Sequence, residues 1–427
     1  MKIKVGLCGA GQFGRRFVPV FQRHPDVAEV YLADVLPDRL AREAARLGVT
    51  KTFDSLEALC RSDCDCVALF TQRWLHAPQA VQALKAGKHV YSAVPAAVTL
   101  EELGELVEAV KSTGLIYMLG ETSYYRAQTT FCRDKFARGE FGDFVYGEGQ
   151  YHHDMAHFYA SYMHSGGDAW KSTASFPPML YPTHSTAFVL GVTFARMTEV
   201  SCFGQVDHHD DGVFRAETSQ WGNVFSNQSA LFRTSDGGMA RINEFRRVGA
   251  GDGRMTIMGT RAAYEEQPGQ GVFTWLDFPE DYGQGDSIPF REARRLVALR
   301  REDVSDIRVF DGVEVTEENL GDLPREYLGK TFLGLSPAQP FWQLPLEFAG
   351  VPNGHDGTHV FLVNDFVRSV VAQKLPPNHV WQAARYNAPG IVAHESAKRD
   401  GERLSIPDFG MPPADWPVLD TTRPLQP

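Results

Sequence analysis

The chain has no run of lysine or arginine, and its 42 Lys and Arg are outnumbered by 53 Asp and Glu, a formal net charge of −11. A surface that follows nucleic-acid phosphates needs clustered positive charge, so nucleic acid is not an expected partner. No stretch reaches the ~20 apolar residues that a membrane helix needs, so none is expected. The opening Met1-Lys2-Ile3-Lys4-Val5-Gly6 reads as the start of a strand and lacks the apolar core of a secretory leader. Cysteine is scarce: Cys8, Cys60, Cys64, Cys66, Cys132 and Cys202 form no paired framework. Cys60, Cys64 and Cys66 lie close together, but no CxxC pair or nearby histidine completes a metal set. They read as small buried hydrophobes, and a reducing cytoplasm is the expected location. Internal repeats and low-complexity blocks are also absent.

What is present is an ordinary globular composition, 43% hydrophobic and 22% charged over 427 residues, too long for one core. The spacing predicts strands at 3–8, 30–33, 66–70, 89–91 and 116–119, alternating with helices at 11–24, 40–47, 56–60, 76–86 and 100–112. Pro37, Ser55 and Thr99 open three of these helices; Glu102 completes a capping box with Thr99, and Gly87 closes a fourth helix. Such alternation predicts a parallel sheet covered on both faces. After one helix at 124–138, strand-like segments follow at 144–150, 198–203, 227–232, 239–245 and 254–258, with a helix at 185–194 and late helices at 361–371 and 380–396. The expected fold class is α/β plus α+β: a Rossmann domain over 1–122, a substrate and oligomerisation domain with an open, largely antiparallel sheet over 123–405, and an extended tail over 406–427, which holds six prolines.

Gly9-Ala10-Gly11-Gln12-Phe13-Gly14 joins the first strand to the first helix. The first glycine permits the tight turn, the second lets a pyrophosphate approach the backbone, and the third lets helix and strand pack closely. Asp34 ends the second strand about 20 residues later, where a carboxylate accepts from a ribose diol and repels a 2′-phosphate. NAD is therefore the expected cofactor, rather than NADP. The competing role for Asp34 is to cap the helix after Pro37.

Further motifs follow at the ends of later strands: Thr71-Gln72-Arg73-Trp74-Leu75-His76, then Gly87-Lys88-His89-Val90, then Val94-Pro95. This series resembles the Gfo/Idh/MocA family of sugar and cyclitol oxidoreductases, with their TPNxxH-like loop, GKHV strand and EKP motif. Ile257-Met258-Gly259-Thr260 and the segment from Gly390 to Pro407 extend the resemblance along most of the chain. It implies that Thr71, Gln72 and His76 join Gly9, Gly11, Gln12, Phe13, Gly14 and Asp34 at the cofactor. Two positions depart from the dehydrogenase pattern: Val94 stands for the lysine of Glu-Lys-Pro, and Leu180 for an aspartate four residues before His184. Val94-Pro95-Ala96-Ala97, Gly120-Glu121 and Tyr181-Pro182-Thr183-His184 resemble instead the NAD-dependent glycosidases of glycoside hydrolase family 109, with Thr122 where asparagine is expected. That branch oxidises a ring hydroxyl transiently at C3, removes the acidified C2 proton, expels the glycosidic group and returns the hydride. A plain sugar or cyclitol dehydrogenase and a non-catalytic NAD- or sugar-binding regulator are the competing readings.

The resemblance implies His184, Tyr181 and Glu121 as catalytic residues; Glu121 is a candidate at the nicotinamide as well. His184 suits proton transfer near neutral pH. Tyr125 and Arg126 are candidate substrate contacts, with packing as the alternative. His153, Trp170, Lys171 and His355 are candidates for a sugar pocket, Trp170 for stacking on a pyranose face. His153 and His157 have helical i, i+4 spacing, yet hydride chemistry needs no metal, and none is expected. The expected partner is a small carbohydrate or glycoside. An open sheet that needs cover implies a homodimer or homotetramer.

Overall fold

The computed structural model describes residues 2–277 and 298–420. The first sheet comprises β1 (Ile3–Cys8), β2 (Val27–Ala33), β3 (Thr52–Phe53), β4 (Cys66–Leu69), β5 (His89–Ser92) and β6 (Tyr117–Leu119). All its pairings are parallel, in the order β3-β2-β1-β4-β5-β6. Helices α1 (Val18–Arg23), α2 (Pro37–Leu47), α3 (Leu56–Cys60), α4 (His76–Lys85) and α5 (Leu100–Thr113) connect the strands. Strand order reverses between β1 and β4, and ligands bind beyond the carboxyl ends of strands at such a switch point. Gly9, Asp34, Thr71, Val94 and Glu121 all follow strand ends on that edge.

The expected caps form. Ser55 Oγ accepts from Ala58 N at 3.3 Å, Thr99 Oγ1 accepts from Glu102 N at 3.1 Å, and Glu102 Oε2 accepts from Val98 N at 2.8 Å. The single helix expected over 11–24 is instead a 3-10 turn, Gly14–Arg16, followed by α1. Pro19 explains the restart: it sits in the first turn of α1, where its missing N–H costs nothing. The helix expected over 124–138 also divides. Thr122–Tyr125 is a 3-10 turn, Arg126 is extended, and α6 spans Ala127–Ala137.

The second sheet has nine strands: β7 (Phe144–His153), β8 (Met197–Val206), β9 (Phe225–Thr234), β10 (Met239–Phe245), β11 (Gly251–Gly259), β12 (Ala262–Gln267), β13 (Gln270–Asp277), β14 (Ala298–Asp303) and β17 (Leu404–Ser405). Only β7 and β10 pair in parallel; the rest are antiparallel. The short strands β15 (Val313–Glu314) and β16 (Thr331–Phe332) make a separate hairpin. The sequence reading passed over β12 to β14, because alternation fails there: the inward Glu266 is buried where an apolar residue was sought. It also missed α7 (Tyr159–Gly166) and α8 (Trp170–Ala174).

Helix α9 (Thr183–Thr193) lies directly on β7. The backbone of Gly149 makes this possible, since a Cβ there would stand 1.9 Å from Ser185 O. The late helices, α10 (Thr358–Ala372) and α11 (Val380–Lys398), bring the chain back to the first sheet. Phe366 meets Phe21 edge-on at 6.4 Å, and Asn387 Oδ1 accepts from Ala96 N at 2.8 Å. α11 also reaches the second sheet, where Ser396 Oγ accepts from Cys202 N at 2.9 Å. The two sheets are thereby held about a shared cleft. Of the tail, Val418 bridges to Leu375 and Trp416 packs on Trp381. Residues 421–427 of that expected segment lie outside the described residues.

Candidate active site

The three glycines of the first turn each answer to a different constraint. Gly9 has φ of 104°, and a Cβ there would meet Phe70 O at 2.5 Å. A Cβ on Gly14 would lie 2.2 Å from Gly9 O, so only hydrogen fits between helix and strand. At Gly11 a Cβ would meet nothing within 4 Å: the backbone faces open space there. A close-packed turn with one bare, accessible face fits a pyrophosphate. Asp34 is 4% exposed, and both its oxygens are used: Oδ2 accepts from Ala10 N at 2.8 Å, Oδ1 from Leu36 N at 2.9 Å, and Arg39 pairs with both. Asp34 thus braces the glycine turn from below and does not cap α2, whose N-cap is Leu36, without a side-chain cap bond.

Beside this turn opens a pocket of about 440 Å³, walled by both sheets' loops. Gln12, Phe13, Thr71, Gln72, His76 and Val94 come from the first; His153, Tyr181, His184 and His355 from the remainder. His184 is positioned from behind. Its Nδ1 donates to Glu121 Oε1 at 2.7 Å, and the same oxygen accepts from Ser123 N at 2.8 Å. Glu121 has no exposed surface. Burial pushes its carboxyl up, but the charge and hydrogen bond of His184 outweigh that and hold it below the usual range. With Nδ1 so held, Nε2 is the nitrogen left for a ligand in the pocket. Tyr181 stands beside it, ring centroids 5.3 Å apart, and burial raises its phenol well above the ordinary value.

His76 is fixed as a strut. Its Nδ1 lies 2.9 Å from Pro95 O and its Nε2 3.2 Å from Thr71 O; burial lowers it to about 4, so it is neutral. His153 stacks on Tyr151 with centroids 5.2 Å apart, and burial, then Arg246, bring it down to about 4. His355 sits in a loop where it, Asp356 and Gly357 all have left-handed φ, at 49°, 55° and 81°. Two such non-glycine residues in succession need support from their surroundings. Arg126 Nη1 pairs with Asp356 Oδ2 at 2.7 Å, and Gln339 Nε2 donates to Asp356 O at 2.8 Å. Arg126 therefore acts on the pocket through the loop of His355.

Tyr125 is 1% exposed, stacks on Phe361 and donates to Asp365, which accounts for it as packing. Trp170 packs on Tyr159 with Lys171 beside it, and neither lines the pocket. Sequence reasoning missed Arg73, Tyr162 and Arg246, which do. Arg246 is 3% exposed, pairs with the buried Glu244 at 2.7 Å, and lies over the rings of Tyr151 and Tyr181. Arg73 had a signal, since it belongs to the quoted Thr71–His76 loop. Arg246 directly follows β10, with nothing local to mark it.

A family model described as "Oxidoreductase family, NAD-binding Rossmann fold" matches residues 3–121. Over 99% of its length the chain is 25% identical to a glycosyl hydrolase family 109 protein of Saccharopolyspora erythraea, covering 87% of that protein. A family 109 protein of Porphyromonas gingivalis is 31% identical, over 38% of this chain and 36% of its own. Among solved structures, a levoglucosan dehydrogenase with NADH and levoglucosan superposes with a TM-score of 0.68 at 16% identity, over 96% of this chain and all of that one. Scyllo-inositol dehydrogenase from Lactobacillus casei, with NAD(H) and scyllo-inositol, gives 0.64 at 17% identity, over 95% and 99%. Residues 3–121 thus match the NAD-binding Rossmann-fold model of the Gfo/Idh/MocA oxidoreductases, and the chain as a whole shares the fold of these sugar and inositol dehydrogenases.

Proposed function

We propose that the pocket oxidises a ring hydroxyl of a glycoside transiently, at C3, so that the glycosidic bond can be cleaved without net redox change. The observation that carries this reading is a pair of proton-handling groups side by side: His184, braced by Glu121, and Tyr181, 5.3 Å from it. A dehydrogenase needs one base, for the hydroxyl proton. Elimination across C2 also needs an acid, to protonate the aglycone as it leaves. The names of the full-length relatives support the same reading.

Bound NAD supplies a two-electron acceptor at its nicotinamide and returns the electrons at the end of the cycle. His184 Nε2 takes the proton of the C3 hydroxyl, with Glu121 stabilising the imidazolium that forms. The resulting ketone acidifies the C2 proton, which His184, once it has released the first proton to solvent, removes as the C1–O bond breaks. The Tyr181 phenol protonates the departing aglycone, water adds at C1 with its proton passing to the phenolate, His184 returns a proton to C2, and C3 is reduced again. The sum is hydrolysis. Val94 contributes no ammonium to hold the hydroxyl, so the proton has no path through that position.

Supplying NAD and a panel of aryl glycosides tests this. The expected result is release of aglycone with no accumulation of NADH. Stoichiometric NADH with intact glycoside would make the protein a plain dehydrogenase; NAD binding with neither outcome would favour a regulator.

A further inference from the structure

The wall of the pocket is positively charged in a protein whose net charge is −11. Arg16, Arg73 and Arg246 line it, and no aspartate or glutamate is among its described lining residues. These three arginines are not equivalent. Arg16 lies beside the glycine turn, at the end where a pyrophosphate would sit. Arg246 is neutralised from behind by Glu244, at 2.7 Å. Arg73 has no carboxylate partner among the described residues. Its guanidinium rests over Phe176 at 4.5 Å and Tyr181 at 5.4 Å, and it donates to the Tyr162 hydroxyl.

A guanidinium held against three aromatic rings has lost part of its hydration, and the rings replace only some of it. The field of these cations reaches their neighbours. After burial, Arg246 is the next cause lowering His153, while His184, Arg126 and Arg16 lower His355. One uncompensated charge beside Tyr181 calls for a monoanion. A planar fork of N–H donors matches a planar carboxylate bidentately.

We propose that the substrate is an acidic sugar, a uronide-type glycoside whose carboxylate is held by Arg73 with Arg246 alongside. The proposal rests on the reading that this pocket takes a sugar, but not on which bond is then broken. It makes Arg73 a specificity residue. Both guanidiniums lie over the Tyr181 ring, at 5.4 and 5.8 Å, and that ring stands beside His184.

The test is binding, read separately from turnover. Calorimetric titration of the NADH-loaded protein would compare the methyl α-glucuronide, galacturonide and mannuronide with their neutral glucoside, galactoside and mannoside partners. At least one acid is expected to bind roughly tenfold or more tighter than its neutral partner. That advantage should disappear in Arg73→Met while NADH affinity changes by less than about twofold. Absence of any acid preference, including absence of binding, would overturn the proposal. So would an Arg73→Met variant that loses NADH affinity, since Arg73 would then serve the cofactor pyrophosphate. A 6-sulfate ester of galactoside preferred over the uronide would also overturn the assignment to a carboxylate. If the acid binds as expected but is oxidised with net NADH formation, the cleavage reading fails and the acidic-sugar proposal stands.

Discussion

The Glu121 carboxylate and the His184 imidazole, 63 residues apart in sequence, meet at 2.7 Å through Nδ1, with the carboxylate fully enclosed. One comes from the end of the first sheet's last strand, the other from the first turn of α9. The relation fixes the tautomer and direction of the imidazole. Removing His184 should lower turnover by about a hundredfold or more, the scale of a lost general base, while leaving NAD affinity nearly intact. Glu121→Gln should also lower kcat by about a hundredfold, with KM little changed, because the imidazole loses both its orientation and its counter-charge. Glu121→Asp should recover part of the rate. Steady-state kinetics separate these outcomes, and a Glu121→Gln enzyme with unchanged kcat would remove Glu121 from the mechanism.

A second prediction concerns the cofactor. Asp34 braces the glycine turn through Ala10 N and holds Arg39 with both oxygens. A ribose diol at this carboxylate must share it with Arg39, and a 2′-phosphate would be repelled. The protein should bind NADH well and NADPH poorly. Asp34→Ala should weaken NADH and, by releasing the Arg39 guanidinium for a phosphate, improve NADPH relative to it. Fluorescence titrations with both cofactors check this; equal affinities in the native protein would contradict the role given to Asp34.

Much of the cofactor site was legible in the sequence because it is local. Three glycines, a strand before them and an acid at the next strand end report one supersecondary unit, and each residue's constraint acts within a few positions of it. The Glu121–His184 contact was legible only as separate members, since nothing in the spacing shows that they touch. Arg246 was not legible at all: its importance comes from the approach of β10 to Tyr151 and Tyr181, a tertiary fact. Conversely, Trp170 and Lys171 looked suited to a sugar, but α8 turns them toward Tyr159 and away from the pocket.

The outer face of the second sheet gives a third prediction. Phe203, Leu231 and Met239 lie in registers that share one face, with exposures of 63%, 52% and 47%. Large apolar side chains exposed in this way are costly in water. The protein should be a dimer or tetramer packed through this face, and Leu231→Glu with Phe203→Asp should shift it toward monomer in light scattering. A native protein that is monomeric at micromolar concentration would contradict this.

A fourth prediction follows from buried histidines. His24, His76, His379 and His394 are each lowered to about 4, with burial the largest cause. Unfolded, each titrates near 6.5, so between these values the unfolded chain binds more protons than the folded one. Stability is therefore full above about pH 6.5 and falls as pH drops through the window, by roughly 1–2 kcal/mol per histidine at pH 5. The urea midpoint should decrease clearly from pH 7 to pH 5; an unchanged midpoint would contradict the neutral burial of these side chains.

The central claim is that C3 is oxidised only in passing, so that the C2 proton becomes removable. Turnover of a cleaved glycoside in D₂O, followed by NMR of the released sugar, measures this directly. Deuterium is expected at C2, because that proton is taken by a protein group and replaced from solvent, with no net formation of NADH. Cleavage that leaves hydrogen at C2 would contradict it.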